Sequence, residues 1–412
     1  MAPGAPTPRS PGKPQRISPA FVGLVGLMTA LGAFTTDTYL PSLPAVGADL
    51  GASAAAVQLT ISGVLIGGAL GQLVVGPLSD RWGRRRPALI GIAVHIVASV
   101  LCAVAPGILP LVGFRVLQGV GNAAATVVAM AVVRDRFAGS TAARVLSRLM
   151  LIIGVAPLFA PTVGGVIANV AGWRAVFVAL AVLGLVIGLA VLRWLPETLP
   201  VERRHAAGPL GALRGYRDLL RDRHFVALAV LPGLGMAVLM SYVAGSPYVL
   251  RQGFGLSANQ FSVLFAINGL GLVTGAQING WLVHRVAPIR ILRAALPVAI
   301  LLALTLLVIA HTGAGGLIGL LVPLWFLLAV NGFVPPNASA LALTRHGERA
   351  GTAAALIGSL QAGVAGVVSP LVGVLGEDAA AMATVMLGSL LVATAVLAFA
   401  TPAYRRGGWT TI

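Results

Sequence analysis

The sequence predicts an all-α membrane protein that crosses a bilayer about twelve times, arranged as two six-helix bundles. Three observations carry this expectation. Of 412 residues, 58% are hydrophobic and only 9% charged, against about a quarter charged in a soluble domain. The apolar residues form unbroken runs rich in Leu, Ala and Gly, whereas the strands of a membrane barrel would alternate. Arginines crowd every second connection between those runs. At about 20 residues per crossing, the length accommodates about twelve helices.

Runs of helix length fall at about 19–41, 55–78, 87–105, 108–133, 149–171 and 174–195, and again at about 225–249, 261–283, 294–311, 315–343, 354–376 and 380–403. The division is therefore a bundle over 19–195, a central loop over 196–224 and a second bundle over 225–403. Residues 1–18 hold Arg9, Lys13 and Arg16 among Pro, Ser and Gly and read as a disordered tail. They are not a cleaved leader, since the following run is too long and lacks a cleavage site. Residues 404–412 make a second tail. In the central loop, Tyr216, Leu219 and Leu220 among Arg and Asp predict a helix lying on the membrane surface.

A net charge of +17 would point to nucleic acid in a soluble protein, but its distribution excludes that reading. Arginines gather at 81, 84, 85 and 86, at 134, 136, 144 and 148, and at 203, 204, 214, 217, 221 and 223, while the intervening loops hold only Arg174 and Arg251. Loops rich in Arg lie on the cytoplasmic side, so both termini are expected there, in a protein of the cytoplasmic membrane. Cys102 is the one cysteine and sits in an apolar run, which rules out an intramolecular disulfide. His95, His284 and His311 lack partners at metal-ligand spacing. No cofactor or metal is called for, and the partners expected are a small drug-like molecule, protons and lipid, with the chain acting as a monomer.

The halves repeat weakly. Gly51, Ser53, Gly71, Gly76 and Arg81 align with Gly255, Ser257, Gly275, Gly280 and Arg285 at an offset of about 204, and Pro161 and Gly164 align with Pro370 and Gly373 at about 209. An even number of crossings separates the copies, so the repeats are parallel, related by an axis along the membrane normal. Gly63, Gly67 and Gly71 form a small-residue ridge suited to close helix packing.

The connection after the second run reads Gly76-Pro-Leu-Ser-Asp80-Arg81-Trp-Gly83-Arg84-Arg85-Arg86. Gly83 permits a tight turn, and Asp80 is suited to a neighbouring helix N-terminus, where the dipole favours a carboxylate. This segment resembles the signature of the major facilitator superfamily, with its Gly, Asp-Arg pair, second Gly and basic pair in register. Setting topology alone would explain the arginines but not the spacing. Three further segments narrow the likeness: Thr36-Asp37-Thr-Tyr39-Leu-Pro41-Ser-Leu-Pro44, Phe114-Arg115-Val-Leu-Gln118-Gly119-Val-Gly121-Asn122, and Gly154-Val-Ala-Pro157-Leu-Phe-Ala-Pro161-Thr-Val-Gly164-Gly165. With the Arg134-Asp135-Arg136 loop they resemble the twelve-span drug:proton antiporters of the bicyclomycin and chloramphenicol resistance type. The resemblance is strongest from Ile17 to Thr198. In the second half the loop signature has decayed to Gly280-Trp-Leu-Val-His284-Arg285. The resemblance implies a secondary transporter, not an enzyme, working by alternating access, with the helix-5 segment Gly154, Pro157, Pro161, Gly164 and Gly165 associated with export. Pro157 and Pro161 are expected to kink that helix.

Asp37 and Arg115 are the only Asp, Glu, Lys or Arg residues well inside the predicted spans, and intramembrane charges are read as functional by default. Arg115 falls about seven residues into its helix, roughly 10 Å deep, and Asp37 lies near the same end of the first helix, so both are expected to face one cavity. There a carboxylate exchanges its proton as its surroundings change. The alternative is a static ion pair fixing helix 1 against helix 4. Gln118 and Asn122 follow Arg115 at three and seven residues, on one helix face, either to meet substrate or to bond between helices. Phe34 and Tyr39 are further candidates for the substrate wall, and in the second half Met236, Met240, Tyr242, Asn268, Gln277, Asn331, Asn337 and Gln361 are candidates for the opposite one, Met being adaptable. The substrates expected are small neutral or weakly polar amphiphiles, amphenicol- or bicyclomycin-like. A metabolite exporter or a solute:proton symporter of the same fold stays open. An integral membrane transferase would need paired acidic metal ligands or a nucleophile and base, and no Asp-x-x-x-Asp, His-x-x-x-Asp or Gly-x-Ser-x-Gly segment occurs.

Overall fold

A computed structural model describes residues 19–137, 139–204, 208–344 and 350–400, and leaves the side chains of several residues of the sixth helix, Gly154 and Pro157 among them, undescribed. Helices run in the order α1 (Pro19–Asp37), α2 (Leu43–Leu50), α3 (Ala54–Trp82), α4 (Arg85–Ala103), α5 (Ile108–Arg136), α6 (Gly139–Ala171), α7 (Trp173–Trp194) and α8 (Gly208–Arg221). They continue with α9 (Arg223–Ser246), α10 (Ala258–Leu282), α11 (Pro288–Thr312), α12 (Gly316–Asn331), α13 (Val334–Leu343), α14 (Ala350–Val368), α15 (Leu371–Leu375) and α16 (Ala379–Ala400). Among the described residues, 11 helical segments are long and apolar enough to cross a membrane. In α6, which is 33 residues long, the described apolar stretch is Phe159–Ala171.

Prolines break the apolar runs where the sequence reads them as continuous. The 315–343 run splits at Gly332 and Phe333 into α12 and α13, ahead of Pro335 and Pro336, whose rings remove two backbone donors. Pro370 separates α14 from α15, and Pro247 opens a π-helical turn, Pro247–Gly253, beyond α9. α1 ends at Asp37, and the chain turns through a 3-10 segment, Leu40–Ser42, before α2.

The repeat is visible in matched contacts. Gly51 and Gly255 both adopt positive φ, 58° and 69°, and Ser53 and Ser257 both cap the following helix, accepting from Ala56 N and Gln260 N at 3.3 Å. A Cβ on Gly67 or Gly71 would run into the α5 backbone at Val116 or Val120, and one on Gly271 or Gly275 into α12 at Trp325 or Ala329. The small-residue ridge therefore does what small residues do in bilayers, bringing helix backbones into close contact, once in each repeat. α3 and α4 pack on α5, α1 on α5 and α6, and α4 on α7, while α9 packs on α13, α14 and α16, α10 on α12, and α11 on α12 and α16. The two sets meet chiefly where α3 lies along α14 and α6 along α10. Tyr216 and Leu219 anchor α8, the tyrosine hydroxyl donating to Leu73 O at 3.1 Å.

Candidate functional site

Arg115 is the centre of a buried polar chain. Its Nε donates to Thr60 O at 3.2 Å, and its Nη1 donates to Thr35 O at 3.1 Å and to Gln118 Oε1 at 2.7 Å. The guanidinium lies over the rings of Tyr39 and Phe177, 4.8 and 5.6 Å from their centroids. The chain continues from Gln118 Nε2 to Ser99 Oγ (2.7 Å), and from Ser99 Oγ to His95 O (2.7 Å). The His95 ring pairs with Leu180 O of α7 at 3.2 Å through Nε2, which makes that nitrogen the protonated one. Thr35 Oγ1 donates to Asn122 Oδ1 at 3.3 Å, and Thr60 Oγ1 to Tyr39 OH at 3.1 Å. Carbonyls of α1 and α3 and side chains of α4, α5 and α7 thus gather around one arginine, whose Nη2 has no partner among the described residues.

Asp37 is buried as the last residue of α1. No ion pair joins it to Arg115, which instead holds the Thr35 carbonyl two residues earlier. Carbonyls of a helix's last turn lack intrahelical partners and attract cations, so Arg115 caps α1. Immediately after Asp37, Gly164 of α6 packs so tightly that a Cβ there would lie 2.7 Å from Thr38 Cα. Gly165 is looser, its Cβ position 3.8 Å from Pro41 Cβ. Pro161 is buried, and Gly154 and Pro157 of the same segment lie outside the described side chains.

Candidates in the second set are less concentrated. Tyr242 stacks on Phe265 with centroids 5.1 Å apart. Met240 is buried, and Met236 and Phe34 pack half-buried against the same apolar cluster. Asn268 donates within its own helix to Leu264 O at 3.1 Å. Asn331 ties α12 to α9 through Gly235 O (2.9 Å), and Asn337 ties α13 to α10 through Asn279 Oδ1 (2.5 Å). Asn268 and Asn331 keep Oδ1 atoms without partners among the described residues. Gln361 is half-buried and Gln277 exposed.

At the far end of α3, Gly83 turns the chain with φ 86°. Arg84 pairs with Asp80 at 2.6 Å and with Asp135 of α5 at 2.8 Å, and also donates to Ser79 Oγ at 2.7 Å. The carboxylate at the N-terminus of α4 is Glu197 and not Asp80: Arg84 N donates to its Oε1 at 2.8 Å and Arg85 N to its Oε2 at 3.2 Å. Asp80 stands one turn before Gly83 on α3 and is taken by Arg84, while the chain leaving α7 brings Glu197 across. A Cβ on Gly83 would lie 2.7 Å from Glu197 Cδ, so that glycine answers to packing as well as to φ. Burial pushes the Glu197 carboxyl up, but the Arg84, Leu199 and Arg85 N–H groups and the Arg204 charge together hold it below the usual range. Arg84 is destabilised as a cation by burial, and Asp135 and Asp80 more than offset this, raising it above the usual guanidinium value. Arg85 donates to Leu192 O, Arg81 is exposed, and Gly76 faces open space. On the corresponding turn of the second repeat, Arg285 stacks over Trp281 at 4.0 Å.

Charged and amide side chains buried among helices long enough to cross a bilayer mark candidate functional positions in a membrane protein. The chain belongs to the Major Facilitator Superfamily, whose sequence profile matches residues 25–370. Over 390 residues it is 37% identical to the Uncharacterized MFS-type transporter YdgK of Bacillus subtilis (strain 168), covering 93% of this chain and 94% of that one. The Bicyclomycin resistance protein homolog of Haemophilus influenzae is 28% identical over 379 residues, 92% and 95% of the two chains. The Multidrug resistance protein MdtL of Salmonella typhimurium is 36% identical over 239 residues, 58% and 60% of the two. Among solved structures, a D-xylose-proton symporter superposes with a TM-score of 0.71 at 17% identity, covering 91% and 96% of the two chains, which shows the shared fold.

Proposed function

We propose that the protein exports small neutral or weakly polar amphiphiles in exchange for protons, by alternating access between two six-helix bundles, 19–195 and 225–403, with twelve crossings in all and both termini and the 196–224 loop in the cytoplasm. The observation that carries this reading is the position of Asp37, a buried carboxyl at the end of α1 between the Arg115 cap and Gly164 of α6. A proton arriving from outside neutralises Asp37 and alters how α1 ends against α5 and α6, and that change is linked to substrate release. Arg115 keeps the cavity from favouring dications. Phe34, Tyr39, Gln118 and Asn122 form the near wall for substrate, with Met236, Met240, Asn268 and Asn331 opposite. Asp80, Arg81, Gly83, Arg84 and Arg85, with Gly76, govern the rocking of the bundles without touching substrate. The relatives named for bicyclomycin resistance and multidrug resistance support a drug-like substrate.

The test uses purified protein in proteoliposomes with an imposed pH gradient and a panel running from amphenicol-like compounds to dications. Uphill movement of the neutral compounds is expected, and Asp37→Asn should abolish it while binding persists, since the amide keeps the shape but cannot carry the proton. If Asp37→Asn at wild-type abundance still concentrates substrate, the coupling site is elsewhere.

A further inference from the structure

Where α3 meets α14 and α15, the second set offers glycines. Gly358, Gly366 and Gly373 face α3 in succession. A Cβ on Gly366 would lie 3.0 Å from Ile66 Cγ1 and 3.3 Å from Ser62 O, one on Gly373 would lie 2.8 Å from both Ala55 Cα and Gln58 Oε1, and one on Gly358 would strike the Gln72 amide. A track without side chains lets two helices lie close and shift against each other.

The two ends of this seam are held differently. Gln58 is wholly buried. Its Oε1 accepts from Gly373 N at 2.9 Å and its Nε2 donates to Ala244 O at 3.5 Å, so one side chain of the first set binds two backbone segments of the second. At the same end Arg251 Nη1 donates to Pro41 O at 2.6 Å, again between sets. Gln72, near the other end of α3 and on nearly the same face, is partly exposed and touches Gly358 without a hydrogen bond among the described residues. In the second repeat, the position 204 residues after Gln58 is Ser262, whose Oγ is 3.9 Å from a Cβ position on Gly165 of α6.

We infer that Gln58 is the latch of the α3–α14 seam at the end remote from Arg84, a positioning residue that must release Gly373 and Ala244 before that end can open. The inference rests on alternating access as read above. A buried amide bonded across a moving seam weights the closed state without locking it, because water replaces its partners on opening and each bond is worth only about 1 kcal/mol net.

Intact cells carrying Ser246→Cys, buried at the same end, can be treated with a membrane-impermeant maleimide. The single native thiol, Cys102, is wholly buried. Gln58→Leu removes both bonds at similar size and, at about 1 kcal/mol each, should raise the labelling rate about thirtyfold. Gln58→Met, which also removes both bonds at similar length, should raise it by a similar factor. A rate unchanged from the parent in whichever of these variants reaches parental abundance overturns the latch. Labelling needs neither drug nor proton gradient, so faster labelling without any drug export would count against the substrate reading alone.

Discussion

Arg115 uses its shape as much as its charge. Nε points at one helix carbonyl, Nη1 at another and at an amide, and the planar group stacks on Tyr39. A lysine is a point charge on a flexible stem and cannot reproduce that fork. Arg115→Lys is therefore expected to reduce transport at least about tenfold, since every 1.4 kcal/mol of lost positioning is a factor of ten, while expression changes little. A Lys variant with more than half the parental rate would show that charge alone suffices. Asp37 and Arg115 were legible in the sequence because a charge in the bilayer is costly and hence rare, and Gln118 and Asn122 because helical spacing puts them beside Arg115. Thr60, Ser99, His95 and Phe177 were not legible as partners of the arginine. They come from three other helices, α3, α4 and α7, and no sequence spacing encodes contact between helices.

At the scale of elements, the tightest joint lies between α6 and the chain after Asp37. Gly164→Ala would place a methyl against Thr38, and a helix backbone pressed that closely has little room to yield. It should lower transport severely, whereas Gly165→Ala, with ordinary contact distances around it, should retain most activity; equal loss in both would remove the special position of Gly164. The α3–α4 turn offers a pH test. The depressed Glu197 carboxyl stabilises the folded protein above the ordinary carboxylate range, and that contribution is lost as pH falls through the depressed value. Glu197→Gln should thus lower the unfolding temperature at pH 7, and the gap from wild type should hold on acidification to about pH 4 and narrow only below it. A gap independent of pH would mean that packing against Gly83, not the charge, is what Glu197 supplies. The Gly83 turn was legible from its spacing. The Glu197 seat was not, because Pro196-Glu197-Thr198 looks like any polar connection until α7 delivers it to α4. The apolar runs located the helices, and 315–343 stands as one candidate span, although hydropathy does not show the break at Gly332 and Phe333 within it.

For the whole molecule, the repeat supplies two similar frames, and the proton chemistry proposed above belongs to the first. The positions matching Asp37 and Arg115 in the second repeat are near Val243 and Leu328, so rocking between the frames is expected to be driven from the first. Orientation follows from arginine placement: a reporter fused after Leu220 should be cytoplasmic and one near Ser257 external, and both on one side would break the twelve-span arrangement. With Asp37 the one carboxylate well inside the spans predicted from the sequence, a single proton should be exchanged per cycle. Returning one proton for one neutral molecule moves one charge across the membrane, and each charge gains about 2.3 kcal/mol per 100 mV. Export of a neutral amphiphile should therefore be driven by membrane potential at zero pH gradient, and a monocationic compound should respond to the pH gradient alone. Counterflow in vesicles clamped with valinomycin and potassium separates the two. If the neutral compound ignores the potential, the exchange is electroneutral and a second charge must travel with the substrate, which one carboxyl at Asp37 does not provide.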